Sequence, residues 1–220
     1  MNCVILLVFI FLSYMTVAST ESQSLHGGTY LAMAGKDSVL LASDSRFIHP
    51  QMNQLLLGSH PRTMFRIGFK TVLGCDGIEL HSSYLRQLLT QKLADHTNSE
   101  LSTEHIAKLV SGIMYETGLH LAPIIAGFDK SNAPFLCSMD SLGAVTVTDS
   151  YVVSGTSSSQ LHALCESLYV PGLSAAQLVK LAERCLKLAF QRDILSGSNL
   201  RLVTVHKDDF YIKDVEFQDI

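Results

Sequence analysis

Charge of one sign never gathers in this chain. The 16 Lys and Arg side chains are interspersed with 20 Asp and Glu and leave a net charge of −4, so there is no basic stripe for nucleic acid or for an anionic lipid surface. Neither nucleic acid nor a membrane is therefore expected as a partner. Cysteine is scarce and scattered. Cys3, Cys75, Cys137, Cys165 and Cys185 include no CxxC pair, and an odd number of distant cysteines suits reduced, buried thiols better than a disulfide framework. The nine histidines form no HExxH, and none pairs with cysteine at zinc spacing, which leaves no metal site to argue and no cofactor to expect. A GxSxG elbow is missing as well, since "VSGTSSS" and "LSGSN" both lack the spacing. The segment "GGTYLAMAGKD" fails as a phosphate loop, because Gly28 lies too far from Gly35-Lys36 and Asp37 would repel the phosphate.

Long hydrophobic runs are absent except at the start. "NCVILLVFIFLSYMTVAS" holds an apolar run of about a dozen residues followed by small ones, the size of a secretory h-region and short of the roughly 20 that a membrane-spanning helix needs. No Lys or Arg precedes it, so the basic flank of a signal peptide is lacking. Residues 1–25 are expected to be an N-terminal extension, either packed on the fold or bypassed by initiation at Met15, rather than a working export signal. Of 220 residues, 47% are apolar and 16% charged, enough to bury one sizeable core, and residues 26–220 are expected to form a single domain.

What is present is an ordered change of period. Gly28 to Gly35 and Ser38 to Ser43 are mostly apolar with Gly35-Lys36-Asp37 between them, which predicts a hairpin of buried strands. "TMFRIGF" and "TVLGCDG", separated by one lysine, predict a second pair. Leu85, Leu88, Leu89 and Leu93, and then Ile106, Leu109, Val110, Ile113 and Met114 after Ser102, fall at helical spacing. Pro123 is read as a break before the strands "IIAGFD", "PFLCSMD", "AVTVTD" and "YVVSG". A helix from Ser157 to Leu168 follows, ended by Pro171-Gly172. Ser174 and Gln177 form a capping box for another helix through Gln191, with the stripe Leu178, Leu181, Ala182, Cys185 and Leu186. A last hairpin turns at Lys207-Asp208-Asp209. Strands, two helices, strands, two helices and strands predict an α+β fold in which two antiparallel sheets lie face to face, each covered by a helix pair: an αββα sandwich.

Four landmarks stand in a fixed order: "GG" at Gly27-Gly28, "SDSRF" at Ser43 to Phe47, "GCDG" at Gly74 to Gly77 and "RDILSG" at Arg192 to Gly197. In that order they resemble the proteasome beta-type subunits, members of the N-terminal-nucleophile hydrolases. "PIIAGFDKSNAPFLCSMDSLG" and "YVVSGTSSSQLHALCESLYVP" resemble the beta type-3 members, which are non-catalytic. The resemblance implies the αββα fold, no cofactor, a cytoplasmic and nuclear location, and partnership with other beta-type and alpha-type subunits in stacked seven-membered rings. In active members a threonine freed at the N-terminus attacks the peptide carbonyl, with a lysine and an aspartate arranging the protons.

That chemistry needs three groups together, since a neutral hydroxyl requires an adjacent base and a free α-amine appears only after cleavage. The family's aspartate corresponds to Asp44, and its threonine should lie sixteen positions earlier, at Gly28. Thr29 falls one residue late, and neighbouring strand residues point to opposite faces. The lysine should lie sixteen positions after Asp44, where His60 stands. A histidine does not hold a constant positive charge at neutral pH. Asp193 and Ser196 match the remaining pattern. The resemblance thus makes Gly28, Asp44, His60, Asp193 and Ser196 vestigial positions with no catalytic role, and it sets Asp140, in the turn after "CSM", beside the substrate groove of an adjacent subunit. Two rival readings stand beside it. One is an active threonine protease with Thr29 as nucleophile after cleavage at Gly28; the other is a secreted αββα binding protein cleaved near Ala18 or Ser19.

Overall fold

The computed structural model describes residues 26–49, 54–57, 64–94, 101–197, 199–207 and 209–216. The expectations for residues 1–25, including Cys3 and Met15, and for His60 lie outside the described residues. Among the described residues, thirteen strands form two antiparallel sheets. Strands β1 (His26–Gly27), β4 (Arg46–His49), β5 (Gln54–Leu57), β6 (Met64–Ile67), β7 (Thr71–Ile78), β8 (Leu121–Phe128), β9 (Pro134–Met139) and β10 (Val145–Thr148) make the larger sheet. Its order is β10-β9-β8-β7-β1-β4-β5, with β6 beside the first half of β7. Strands β2 (Thr29–Ala34), β3 (Val39–Asp44), β11 (Tyr151–Gly155), β12 (Asn199–Val205) and β13 (Phe210–Glu216) make the smaller sheet, in the order β11-β2-β3-β12-β13.

Four helices among the described residues flank them: α1 (Glu79–Ala94), α2 (Thr103–Thr117), α3 (Ser158–Leu168) and α4 (Ala175–Phe190). None of the described helices is long and apolar enough to cross a membrane.

Period two explains the layering. On β2 and β3 every residue is buried. Leu31, Met33, Leu40 and Ala42 pack with Leu161 of α3 and Leu178, Ala182 and Leu186 of α4. Tyr30, Ala32, Val39 and Leu41 pack against Val72, Ile124, Ala126 and Phe128 of the other sheet. A third core joins Leu73, Cys75 and Ile125 to Leu85 and Leu89 of α1 and Ile106, Val110 and Ile113 of α2. Strands buried on both faces read as continuous apolar runs rather than as alternation. The expected αββα sandwich is what forms. Local signals close the helices: Ser102 caps α2 through its Oγ, which accepts from the His105 N–H, and Gly118 ends that helix at φ +64. Gln177 Oε1 accepts from the Ser174 N–H at 2.9 Å at the start of α4.

Three details differ from the sequence reading. Pro123 does not break the chain but lies inside β8, opposite Cys75 of β7. The β8–β9 register begins only at Ile124, so the missing N–H falls where β8 has lost its second neighbour. The β6–β7 turn is Gly68 to Lys70 rather than one lysine. Strands β1, β4 and β5, two to four residues each, are too short to carry a period and were not foreseen.

Those short strands place the site. The chain runs in the larger sheet as β1 and crosses at Gly28 into the smaller sheet as β2. It returns by β3 and crosses back at Ser45 into β4. Gly28 makes its crossing at φ +110, which a residue with a Cβ rarely adopts. Thr103, at the first turn of α2, pins that helix to the larger sheet: its hydroxyl donates to the Phe128 carbonyl at 2.7 Å and lies 2.8 Å from the Thr71 hydroxyl. Thr103→Val keeps the shape and removes the buried donor, so it is expected to lower stability by about 1–3 kcal/mol in urea unfolding; an unchanged midpoint would show that the hydroxyl contributes nothing.

Candidate functional site

Four pieces of chain converge where the two crossings lie: the first residue of β2, the last of β3, the β11–α3 junction and the loop after α4. Asp44 closes β3 at 2% exposure. Its Oδ1 accepts from the Thr29 N–H at 2.8 Å and its Oδ2 from the Gly197 N–H at 3.1 Å, so one carboxylate joins residues 15 and 153 positions away. Burial raises its pKa to about 7, with Asp193 adding to the rise. The two backbone N–H bonds and the Arg46 guanidinium act in the opposite direction. Arg46 spends its Nη1 on the loop itself, donating to the carbonyls of Ile194 at 2.8 Å and Ser196 at 3.0 Å.

A second carboxylate gathers hydroxyls. Asp193 Oδ2 accepts from Ser157 Oγ at 2.7 Å and from Ser196 Oγ at 2.9 Å, and Asp193 Oδ1 accepts from the Leu195 N–H at 2.9 Å. The two serine oxygens are 2.5 Å apart. Partial burial alone would raise the pKa of Asp193, but the bonds from Ser157, Thr156, Leu195 and Ser196 outweigh it and hold the group below the ordinary carboxylate range. Ser157 is the N-cap residue of α3, yet its side chain makes no capping bond, because Asp193 has taken it.

The residues singled out in the sequence divide into three groups. Asp44, Asp193 and Ser196 come together, with Gly197 and Arg46 linking their environments. Thr29 reaches Asp44 through its backbone N–H only. Its hydroxyl has the parity of Leu31 and Met33, which face the helices, and it lies 3.3 Å from Thr156 Oγ1, not against Asp44. Gly28 has the parity of Tyr30, which faces the other sheet. Asp140 is elsewhere, in the β9–β10 turn, where its Oδ1 accepts from the Leu142 and Ala144 N–H groups at 2.9 and 2.8 Å. It lines a cleft of about 300 Å³ with Ser138, Met139, Thr146 and Ser154.

Ser157 and Thr156 were missed. "VSGTSSS" reads in sequence as the end of a strand and the start of a helix without GxSxG spacing, and the signal available was a serine at an N-cap position two residues after a strand. Cys75, Cys137, Cys165 and Cys185 are free and buried. Burial pushes the Cys75 and Cys137 thiols up to about 12. Among the described residues no group of His, Cys, Asp and Glu could hold a metal ion.

Chemically, the arrangement is two carboxyl groups with both oxygens of each engaged by donors, with the serine hydroxyls committed to Asp193 and buried. A nucleophile needs a base that is free to take its proton and a substrate that can reach it; Ser157 and Ser196 have the carboxylate without the access.

A family described as "Proteasome subunit" matches residues 24–205. The chain is similar to the probable proteasome subunit beta type-3 of Schizosaccharomyces pombe, 34% identical over 178 residues, covering 78% of this chain and 86% of that protein. It is 32% identical to the proteasome subunit beta type-3 of Drosophila melanogaster over 190 residues, covering 83% and 91%. With the proteasome subunit beta type-3 of Saccharomyces cerevisiae the identity is 30% over 197 residues, covering 86% and 94%.

Asp44 also sets a pH dependence. Its folded pKa near 7 lies above the unfolded value of about 3.9, so folding takes up a proton in that window. Its favourable contribution is complete below about pH 4 and is lost as pH rises through about 7, a change on the order of 4 kcal/mol at most. Asp44→Asn is expected to flatten the stability-versus-pH curve between pH 4 and 7 relative to the unaltered chain. Unfolding midpoints measured across that range check it, and parallel curves would contradict the assigned protonation.

Proposed function

The chain belongs to the proteasome subunit family, and from that premise we propose that it serves as a non-catalytic beta-type subunit of the 20S core, in the manner of the beta type-3 members. It would occupy one place in a seven-membered beta ring, contact alpha-type and beta-type neighbours, and help to wall the chamber where other subunits cleave peptides, in cytoplasm and nucleus. The observation that carries this reading is Gly28. The position that would bear the nucleophile, sixteen residues before Asp44, has no side chain, and the nearest hydroxyl in sequence, that of Thr29, lies against Thr156 on the helix-facing side of β2.

Asp44 and Asp193 have structural work independent of catalysis. Each satisfies donors that would otherwise be buried without a partner, which is reason enough for an enzyme-like constellation to persist on a fold whose chemistry is gone. Ring membership would rest on large, specific interfaces of the obligate kind, on the order of 2,000 Å² or more. Asp140 would add to a neighbour's site: with Oδ1 committed to its own turn, the carboxylate would keep a fixed orientation in the lining of the cleft and present negative charge to basic residues of the substrate.

Two experiments test these claims. Thr29→Ala is expected to leave every peptidase activity of the assembled particle intact, and mass spectrometry of the assembled chain is expected to find no N-terminus at Thr29; loss of one activity from a correctly assembled particle would sink the non-catalytic reading. Particles carrying Asp140→Asn are expected to cleave peptides with basic residues less efficiently, by a few-fold at low salt, where a single charge is least screened. Unchanged kinetics under those conditions would remove the role given to Asp140 and leave the architectural role standing.

A further inference from the structure

Tyr30 is the largest of the fully buried side chains, with no exposed surface, and stands between the two sheets. A Cβ placed on Gly28 would come within 2.6 Å of Tyr30 Cε2 and 3.1 Å of its hydroxyl oxygen. One placed on Gly74 would come within 2.8 Å of Cδ1 and 2.9 Å of Cε1, on the opposite edge of the same ring. The contacts with ring carbons are closer than real Cβ contacts run, and the one with the hydroxyl is at the tight end of the observed range. The two glycines therefore leave side-chain volumes that the tyrosine fills from both sides.

Gly28 has a second reason to be glycine in its φ of +110. Gly74 lies in mid-strand, in regular register with Ile124 of β8 and Met64 of β6, where β-branched or larger residues are the usual choice. The ring accounts for its bareness, since a glycine within a strand marks a close approach by another group. The two glycines and the tyrosine form one packing unit spanning both sheets.

Building on the non-catalytic reading above, we propose that Tyr30 is a plug: its ring fills the space in which a side chain at position 28 would have to stand, so the nucleophile position is closed by packing as well as lacking a hydroxyl. Restoring a hydroxyl at residue 28 cannot reopen the site while the ring is present. The ring is buried and flanked by strands of both sheets, so a side chain at residue 28 can be accommodated only by displacing it and disturbing the core around it.

A double-mutant cycle in the full-length chain tests this, with Gly28→Ala and Gly74→Ala each made in the Tyr30 and in the Tyr30→Val background. Overpacking a filled core is expected to lower the melting temperature of Gly74→Ala by roughly 2–10 °C when the tyrosine is present, and by about 1 °C or less with valine, because the remaining contact, Leu41 Cδ2 at 3.2 Å, can yield. For Gly28→Ala the loss should shrink in the valine background without vanishing, because the strain of its φ remains. Equal losses in the two backgrounds at Gly28 would overturn the plug. Folding of Gly28→Ala with valine but not with tyrosine supports it, and failure to fold in both backgrounds counts against it, since the strain of φ alone would then suffice. Peptidase activity traced to Thr29 would refute the non-catalytic reading without altering the cycle, and an absent coupling would refute the plug without altering the activity assay.

Discussion

Two strands with no solvent-facing side determine the layout of this molecule. β2 and β3 are apolar at odd and even positions alike and buried throughout, so each of their faces has to be covered by something else. Helices α3 and α4 cover one face and the larger sheet covers the other. The larger sheet in turn has an outer face, which α1 and α2 close. Burying a Val, Leu or Ile side chain contributes about 1.5–3 kcal/mol, and every one on this hairpin depends on two further layers being in place. The four layers follow from the hairpin as a requirement of burial.

The same hairpin explains why polar residues collect where they do. At its open end both strands leave the smaller sheet for the larger one, through Gly28 and Ser45, and the backbone donors exposed by the change of sheet lie inside the protein. Asp44 satisfies two N–H groups there, one local and one brought by the loop after α4. Its carboxylate is costly to bury, as the upward pKa shift records, yet removing it would leave both donors without a partner. Asp193 does the corresponding work for Ser157 and Ser196. Together with Arg46, which donates to the Ile194 and Ser196 carbonyls, the two carboxylates close the loop after α4 over the sheet crossing.

Much of this was legible beforehand, and the parts that were not share a cause. The β2–β3 and β12–β13 hairpins, the two helix pairs and the capping box at Ser174 and Gln177 are all written in periods or spacings shorter than one element, so they could be read locally. Asp44, Asp193 and Ser196 were recognisable through their resemblance to a family pattern. β1, β4 and β5 were not: two to four residues hold no period, β1 pairs only with strands distant in sequence, and β4 and β5, of four residues each, make a hairpin of their own. Pro123 was misread as a break because its tolerance depends on where β9 stops pairing. Ser157 reads in sequence as the first residue of a helix; its partner Asp193 lies 36 residues on.

The sequence by itself determined the helices and the longer strands, that the sandwich has four layers, and that position 28 bears no hydroxyl, because hydrophobic period, cap chemistry and residue identity are local properties. Only the tertiary structure decided that Thr29 turns its hydroxyl to Thr156, that Ser157 is claimed by Asp193, and that one tyrosine ring lies between two glycines 46 positions apart in number. Each of these depends on which backbone passes within a few ångströms of another after two sheets have closed face to face, and no pattern along a single segment encodes that distance.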